Sequence, residues 1–292
     1  MDHKLQDISG SNLSLTIGIL SFNEEAFVTD TFNEVLEAFI DYPYHYEIIL
    51  FDDGSTDGTR RISDQLSDPN ATTRSLFHST NRGIGAGVRT VTGESACSHI
   101  LLIPGDNSYG ADSLRAVASK IAEADVIVGK RGVGGVRRWR RILSLSVSLS
   151  TRIWTHRGGF DAGGLNVFRT ELLRSCASME DSYISVTETC MRISMLQPST
   201  LVVPVMQKSG SNVRSNSVKL AEVATLLRVH RRMAAVKLLR RKHATWRPLA
   251  EADHLASGSV GFSLDAHIRN RGLNSKANQI GTTASLKTSY KP

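Results

Sequence analysis

The chain has 292 residues, 40% hydrophobic and 22% charged; this suits one large α/β domain or two small ones, and regular apolar blocks exclude global disorder. No apolar run approaches the ~18–20 residues of a membrane-spanning helix, residues 1–14 lack a secretory signal, and the scattered Cys97, Cys176 and Cys190 argue against a disulfide framework or a zinc site, so a cytoplasmic location is expected. The formal net charge of +7 favours a polyanionic partner: nucleic acid, anionic lipid or a phosphate-rich small substrate.

Residues 15–20 (LTIGIL) predict a short buried strand, followed by a turn at Ser21, Phe22, Asn23 and Glu24. Residues 29–40 carry Phe32, Val35, Leu36, Phe39 and Ile40 at helical spacing. Residues 47–51 (EIILF) predict a second strand, and 52–59 a turn rich in Asp, Gly, Ser and Thr that opens a helix. A strand is expected near 75–78, then the Gly-rich residues 81–87 leading into a helix. Residues 99–103 (HILLI) predict a further strand, ending at Pro104, Gly105, Asp106 and Asn107. A helix over 114–121 and a strand over 125–129 (DVIVG) close this half. Repeated strand–turn–helix units imply an α/β fold with a doubly wound, mainly parallel sheet and flanking helices. In such sheets ligands bind beyond the carboxyl ends of the strands, so the polar turns at 21–24, 52–57 and 105–108 should converge on one rim.

The second half is less regular. It predicts an amphipathic helix over 141–154, a Gly-rich loop over 158–166, helices over 171–176 and 185–195, and a strand over 201–205. Residues 219–239 form a long amphipathic pattern, with Leu220, Val223, Leu227, Ala234 and Leu238 near one face. From about residue 241 the chain turns polar, so the expected layout is a polar segment 1–14, a domain 15–240 and a loosely ordered extension 241–292. The basic excess falls in two clusters. Lys130, Arg131, Arg137, Arg138, Arg140 and Arg141 form one; Arg228, Arg231, Arg232, Lys237, Arg240, Arg241 and Lys242 form the other.

The stretch Asp52-Asp53-Gly54-Ser55-Thr56-Asp57-Gly58-Thr59 carries the most chemistry. Adjacent carboxylates at a strand end are costly unless a cation or a donor-rich ligand compensates them. One could accept hydrogen bonds from a nucleobase or ribose while the other faces a metal. Helix capping is the alternative; it accounts for Asp57 and suits Ser55. At the second acidic turn, Asp106 offers a hard oxygen suited to Mg²⁺ or Mn²⁺ held against a diphosphate, although Gly-Asp-Asn alone is also an ordinary turn. The run Asn81-Arg82-Gly83-Ile84-Gly85-Ala86-Gly87 lacks the spacing of a dinucleotide fingerprint and follows the wrong strand for one. It suits a close backbone approach to a ligand or a plain helix entry.

Taken together, these segments resemble family 2 glycosyltransferases of the GT-A fold. Leu20-Ser21-Phe22-Asn23-Glu24 is similar to the "PTYNE" turn, and DDGSTDGT is that family's nucleotide motif. The 81–90 segment resembles the one preceding the family's DxD strand. Val128-Gly129-Lys130-Arg131 resembles "VVGSR", Trp139 and Arg141 fall at a W…R helix, and Asp161 to Arg169 resembles the "DxxSGFRxFR" loop. Val203-Pro204-Val205 with Ser209-Gly210-Ser211 is similar to the closing "EVPI…R…G.SK". The match spans about residues 15–214 and is best to the branch of dolichyl-phosphate mannose and polyprenyl-phosphate sugar synthases. Three positions depart from the pattern. Pro104 stands where the first DxD carboxylate belongs, Leu20 replaces a proline, and Phe22 replaces a tyrosine and so removes a hydroxyl.

The resemblance implies inverting, metal-assisted transfer of a sugar from a GDP- or UDP-sugar to a polyprenyl phosphate. Ser21, Phe22, Asn23, Glu24, Asp52, Asp53, Gly83, Arg89 and Lys208 would bind the nucleotide. Asp106 would hold Mg²⁺ or Mn²⁺ with help from Asp53, Asn107 or Ser108, and Arg131 would steady phosphate charge. Arg214 is a further candidate cation. A lipid phosphate is already ionised at neutral pH, so no strong base is required. A sugar-hydroxyl acceptor would need one, for which Glu180-Asp181 and Glu188 are the candidates. A non-catalytic sugar-nucleotide-binding protein is the competing class. Nucleic acid is disfavoured, because no recognition motif accompanies the charge. The basic 228–242 segment suits peripheral contact with an anionic membrane face.

Overall fold

The computed structural model describes residues 13–68, 72–131, 164–208, 225 and 228–234. The strands are β1 (Ser14–Ser21), β2 (His45–Asp52), β3 (Thr73–Phe77), β4 (His99–Pro104), β5 (Val126–Arg131), β6 (Leu165–Arg169) and β7 (Thr200–Val205). The helices are α1 (Val28–Ala38), α2 (Thr59–Leu66), α3 (Ile84–Glu94), α4 (Ala111–Ala118), α5 (Thr170–Cys176) and α6 (Ile184–Met195). Leu15, Thr16, Ile17 and Ile19 in β1 and residues 48–52 in β2 are buried without alternation. That is the burial of parallel strands covered on both faces. In α1, Val28, Thr31, Phe32, Val35 and Ala38 recur at helical spacing on the buried face.

The sheet order is β3-β2-β1-β4-β6-β5-β7. β1, β2, β3 and β4 pair in parallel, and so do β5 and β7. The chain winds outward from β1 through β2 to β3, then returns to place β4 on the other side of β1. The order therefore reverses between β1 and β4, and sheets of this kind bind ligands beyond the carboxyl ends of the strands at such a reversal. One cluster of buried apolar side chains joins β1, β2 and β4 to α1 and α4.

Three expectations need correction. Residues 165–166, expected to end a glycine-rich loop, begin β6, which runs antiparallel between β4 and β5. Leu165, Val167 and Phe168 are buried there, so the signal was a buried three-residue pattern shortened by the preceding glycines. The strand expected near 75–78 is β3, and His78 lies just past its end. α4 starts three residues earlier than the periodicity suggested, at Ala111, whose N–H is met by Glu34 Oε2 at 2.6 Å. The 141–154 helix, the 241–292 extension, most of the 1–14 segment and part of the 219–239 helix lie outside the described residues; 228–234 are helical.

Candidate active site

The 21–25 turn and the 52–59 turn are cross-linked by side chains. Asn23 N–H donates to Ser55 Oγ at 2.8 Å, Thr56 N–H to Asn23 Oδ1 at 2.9 Å, and Glu24 N–H to Thr59 Oγ1 at 2.8 Å. Gly58 N–H returns a bond to Glu25 Oε2 at 3.0 Å. Asn23 adopts φ 55, a left-handed conformation that asparagine tolerates better than most side chains. Gly54 has φ 71, and an added Cβ would stand 2.4 Å from the Thr80 carbonyl carbon, so no side chain fits where this turn presses on the next one. Ser21 is buried, Phe22 is 41% exposed and Glu24 is half-buried at the rim.

The Asp52–Asp53 pair is compensated from within the chain, which corrects the expectation that a cation or ligand must do so. Asp52 accepts the Ser55 N–H at 3.2 Å and its hydroxyl. Asp53 Oδ1 faces His78 Nδ1 at 2.6 Å and accepts Arg82 N–H at 3.1 Å, while Oδ2 accepts Gly83 N–H at 2.7 Å. Both carboxylates are buried, at 1% and 6% exposure. Sequence reasoning missed His78; its position immediately after the strand paired with the Asp52 strand was the available signal. Gly83 thus meets Asp53 through its backbone.

At the tip of β4, Gly105 is needed because an added Cβ would stand 2.2 Å from Ser21 Oγ. Thr31 of α1 holds this turn: its hydroxyl donates to Gly105 O at 3.0 Å and accepts Asn107 N–H at 2.9 Å. Asp106 Oδ1 accepts the Ser108 N–H at 3.1 Å and its hydroxyl. Asp106 Oδ2 has no hydrogen-bond partner among the described residues. The described residues contain no cluster of three or more His, Cys, Asp or Glu able to cage a metal. One half-exposed carboxylate with an oxygen that meets no donor among the described residues fits a hard divalent cation, whose other ligands would have to come from outside the chain. Lys208 Nζ bonds Asn107 Oδ1 at 2.7 Å and Glu34 Oε1 at 2.6 Å, and its N–H donates to Ser108 O at 2.8 Å. It therefore belongs to the Asp106 turn. The Lys208 hydrogen bond, working against burial, holds the Glu34 carboxyl below its usual value. Arg131 ends β5, half-buried and paired in register with Val205.

Arg89, expected at the nucleotide, is engaged within the chain. Its guanidinium bonds Ser178 O at 2.8 Å and Glu180 O at 3.1 Å and pairs with Asp181. The partner loop lies 92 residues on in the chain, so no local pattern shows it. Gly85 N–H also donates to Asp181 O, at 3.1 Å. Glu180 pairs with Arg232 at 2.5 Å. Glu188, fully buried in α6, accepts Arg192 Nη2 at 2.7 Å and Ser178 Oγ at 2.6 Å, with Arg232 Nη1 at 3.6 Å. Arg214, Trp139 and Arg137 to Arg141 lie outside the described residues. The described residues contain no helix long and apolar enough to cross a membrane.

Comparison with known proteins adds the following. The model of the family described as glycosyl transferase family 2 matches residues 16–176. A polyprenol monophosphomannose synthase of Mycolicibacterium smegmatis is 26% identical over 217 residues, 65% of this chain and 80% of that protein. A dodecaprenyl-phosphate galacturonate synthase of Rhizobium johnstonii is 39% identical over 64 residues, 20% of this chain and 19% of that protein. Among solved structures, mannosyl-3-phosphoglycerate synthase from Rubrobacter xylanophilus aligns with TM-score 0.57 at 15% identity, covering 80% of this chain and 77% of that one. A mannosyltransferase from Pyrobaculum calidifontis, in complex with GDP-Man and Mn²⁺, aligns with TM-score 0.51 at 18% identity, covering 93% and 82%. At these identities the structures share a fold.

Proposed function

The chain belongs to glycosyl transferase family 2, a GT-A enzyme that uses a nucleotide sugar, and we propose that it transfers the sugar with inversion to a polyprenyl-phosphate-type acceptor. One observation carries the acceptor class. Among the described residues, the three carboxylates that the resemblance offers as a base toward a sugar hydroxyl are engaged by arginine: Asp181 by Arg89, Glu180 by Arg232, and Glu188 by Arg192 and Arg232. A phosphate oxygen is ionised at neutral pH and attacks without giving up a proton. The acceptor oxygen forms its bond to the sugar's anomeric carbon as the bond to the diphosphate breaks, and the nucleoside diphosphate leaves. The name of the Mycolicibacterium relative agrees with this class of acceptor.

In this reading Asp53, Asn23, Glu24 and the backbone of Ser21 and Phe22 hold the nucleoside, with Gly83 steadying the Asp53 carboxylate through its N–H and Asp52 bracing the turn. Asp106 would hold Mg²⁺ or Mn²⁺, which when bound neutralises charge developing on the leaving diphosphate. Arg131 supplies further positive charge to the phosphates, while Lys208 braces the Asp106 turn. The protein contacts the bilayer through exposed Arg228 and Arg231, at the cytoplasmic face. Arg232 is excluded from that role by its ion pairs. The test is a panel of GDP- and UDP-sugars with polyprenyl phosphate, unphosphorylated polyprenol or oligosaccharide as acceptor, with Mn²⁺ or with EDTA. Labelled sugar should appear in polyprenyl phosphate only, and only with the metal. Transfer to oligosaccharide with none to polyprenyl phosphate overturns the acceptor, and full activity in EDTA overturns the metal.

A further inference from the structure

His78 is a buried, titratable side chain outside the roles assigned above. Its backbone N–H extends the β2–β3 ladder to Asp52 O at 2.9 Å, which sets the ring beside the next residue, Asp53. The ring is anchored on three sides. Nδ1 meets Asp53 Oδ1 at 2.6 Å, Nε2 meets Thr90 Oγ1 of α3 at 2.9 Å, and the ring packs edge-on against Phe51 at 4.8 Å and 84°. An ionised Asp53 accepts only, so Nδ1 carries the proton toward it, while Nε2 and the Thr90 hydroxyl share a second hydrogen bond. A carboxylate offers about four acceptor directions, and Asp53 gives three of them to His78, Arg82 N–H and Gly83 N–H. One direction remains. Its aim is fixed by the three donors, and among these His78 alone is a side chain held rigidly by neighbours of its own.

We infer that His78 is a positioning residue for nucleotide recognition: through Nδ1 it fixes the Asp53 carboxylate, and with it the 81–83 loop, so that one acceptor direction stays presented to the nucleoside. This rests on the reading of Asp53 as a nucleoside ligand. The role depends on one ring nitrogen, and that makes it separable from packing. The amide nitrogen of Asn reaches the position of Nδ1, whereas that of Gln reaches the position of Nε2. H78N therefore keeps the bond to Asp53, and H78Q keeps a contact with Thr90 and loses the bond to Asp53.

The experiment measures GDP and UDP affinity by calorimetry in the presence of Mn²⁺ on the full chain, with thermal unfolding recorded for each variant. A hydrogen bond to a charged group sets the scale at about tenfold. H78Q should weaken whichever nucleotide binds by about that factor, and H78N should stay within about twofold of the wild type. In a double-mutant cycle, D53N/H78Q should be no weaker than D53N alone, because both changes act through one carboxylate. Equal losses in H78N and H78Q, matched by equal losses of Tm, or additive losses in the cycle, overturn the inference and leave the Asp53 reading intact. Unchanged affinity in D53N overturns the Asp53 reading itself, and the inference with it. Should H78Q fail to fold, Thr90→Val replaces it: freeing Nε2 lets the ring swing and should weaken binding by a few-fold, and unchanged affinity there counts against the inference.

Discussion

On the β1–β2–β3 side of the rim the turns are fastened to one another through Asn23, Ser55, Thr59, Asp53 and His78, and Asp52, Asp53 and Asp57 each accept donors from the chain. On the β4–β5–β7 side a single half-exposed carboxylate, Asp106, stands beside a lysine already held by Glu34 and Asn107. The first half is fastened by its own bonds, so on the proposed reading it would bind a nucleoside at little cost in ordering. The second half has Pro104 where the family pattern has a further carboxylate, and on the same reading it would draw on charge carried in by phosphates and a cation. Recognition and transfer would then rest on different physics at one rim.

The largest expected effect strikes the open half. Asp106→Ala should lower turnover by about a thousandfold or more, while unfolding shows a loss of only about 1 kcal/mol from the Ser108 bonds. A large stability loss would mean that this turn, too, is built as a fastening. Next is the arginine that ties α6 to the 228–234 helix. Arg232→Gln leaves Glu180 and the fully buried Glu188 short of a partner and should cost about 3 kcal/mol in urea unfolding, whereas exposed Arg231→Gln should cost under about 0.5 kcal/mol. Comparable losses would show that the network is not strained by the missing cation.

Smaller again is the membrane term. Each of Arg228 and Arg231 should contribute about 1 kcal/mol to anionic vesicle binding, about fivefold in partitioning, fading with salt; recovery of wild type and R228Q/R231Q alike in the supernatant at low salt rejects it. The smallest effect concerns Glu34. Its folded pKa lies below the ordinary 4.5, so the protein gains stability above that ordinary value and loses the gain as pH falls through the lowered one. Glu34→Gln should remove this acid-range step, of the order of 0.5 kcal/mol, from Tm recorded between pH 5 and 3; an unchanged slope would mean that Lys208 does not depend on the carboxylate.

Much of this was legible in the residues. The strands LTIGIL, EIILF and HILLI and the polar turns that follow them are local patterns, and topology alone placed those turns on one rim. β6 was hidden because glycines precede it and because an antiparallel partner is chosen by β4 and β5, not by its own residues. The supports of the Asp106 turn, Thr31 and Glu34, looked like ordinary helix positions. Their role depends on β4 arriving beside α1.

The sequence by itself determined which segments are strands and helices, where the acidic turns fall and what chemical class of ligand they suit, because periodicity, turn chemistry and side-chain type are properties of neighbouring residues. Only the tertiary structure decided which charges are spent. Arg89 and Lys208 read alike as candidate phosphate or nucleotide ligands, yet one is taken by a loop 92 residues away and the other by Glu34, 174 residues away. An ion pair across such a span forms only once the sheet has brought its ends together, so the cations left for phosphate, and the carboxylates left without a proton to take, are a property of the fold.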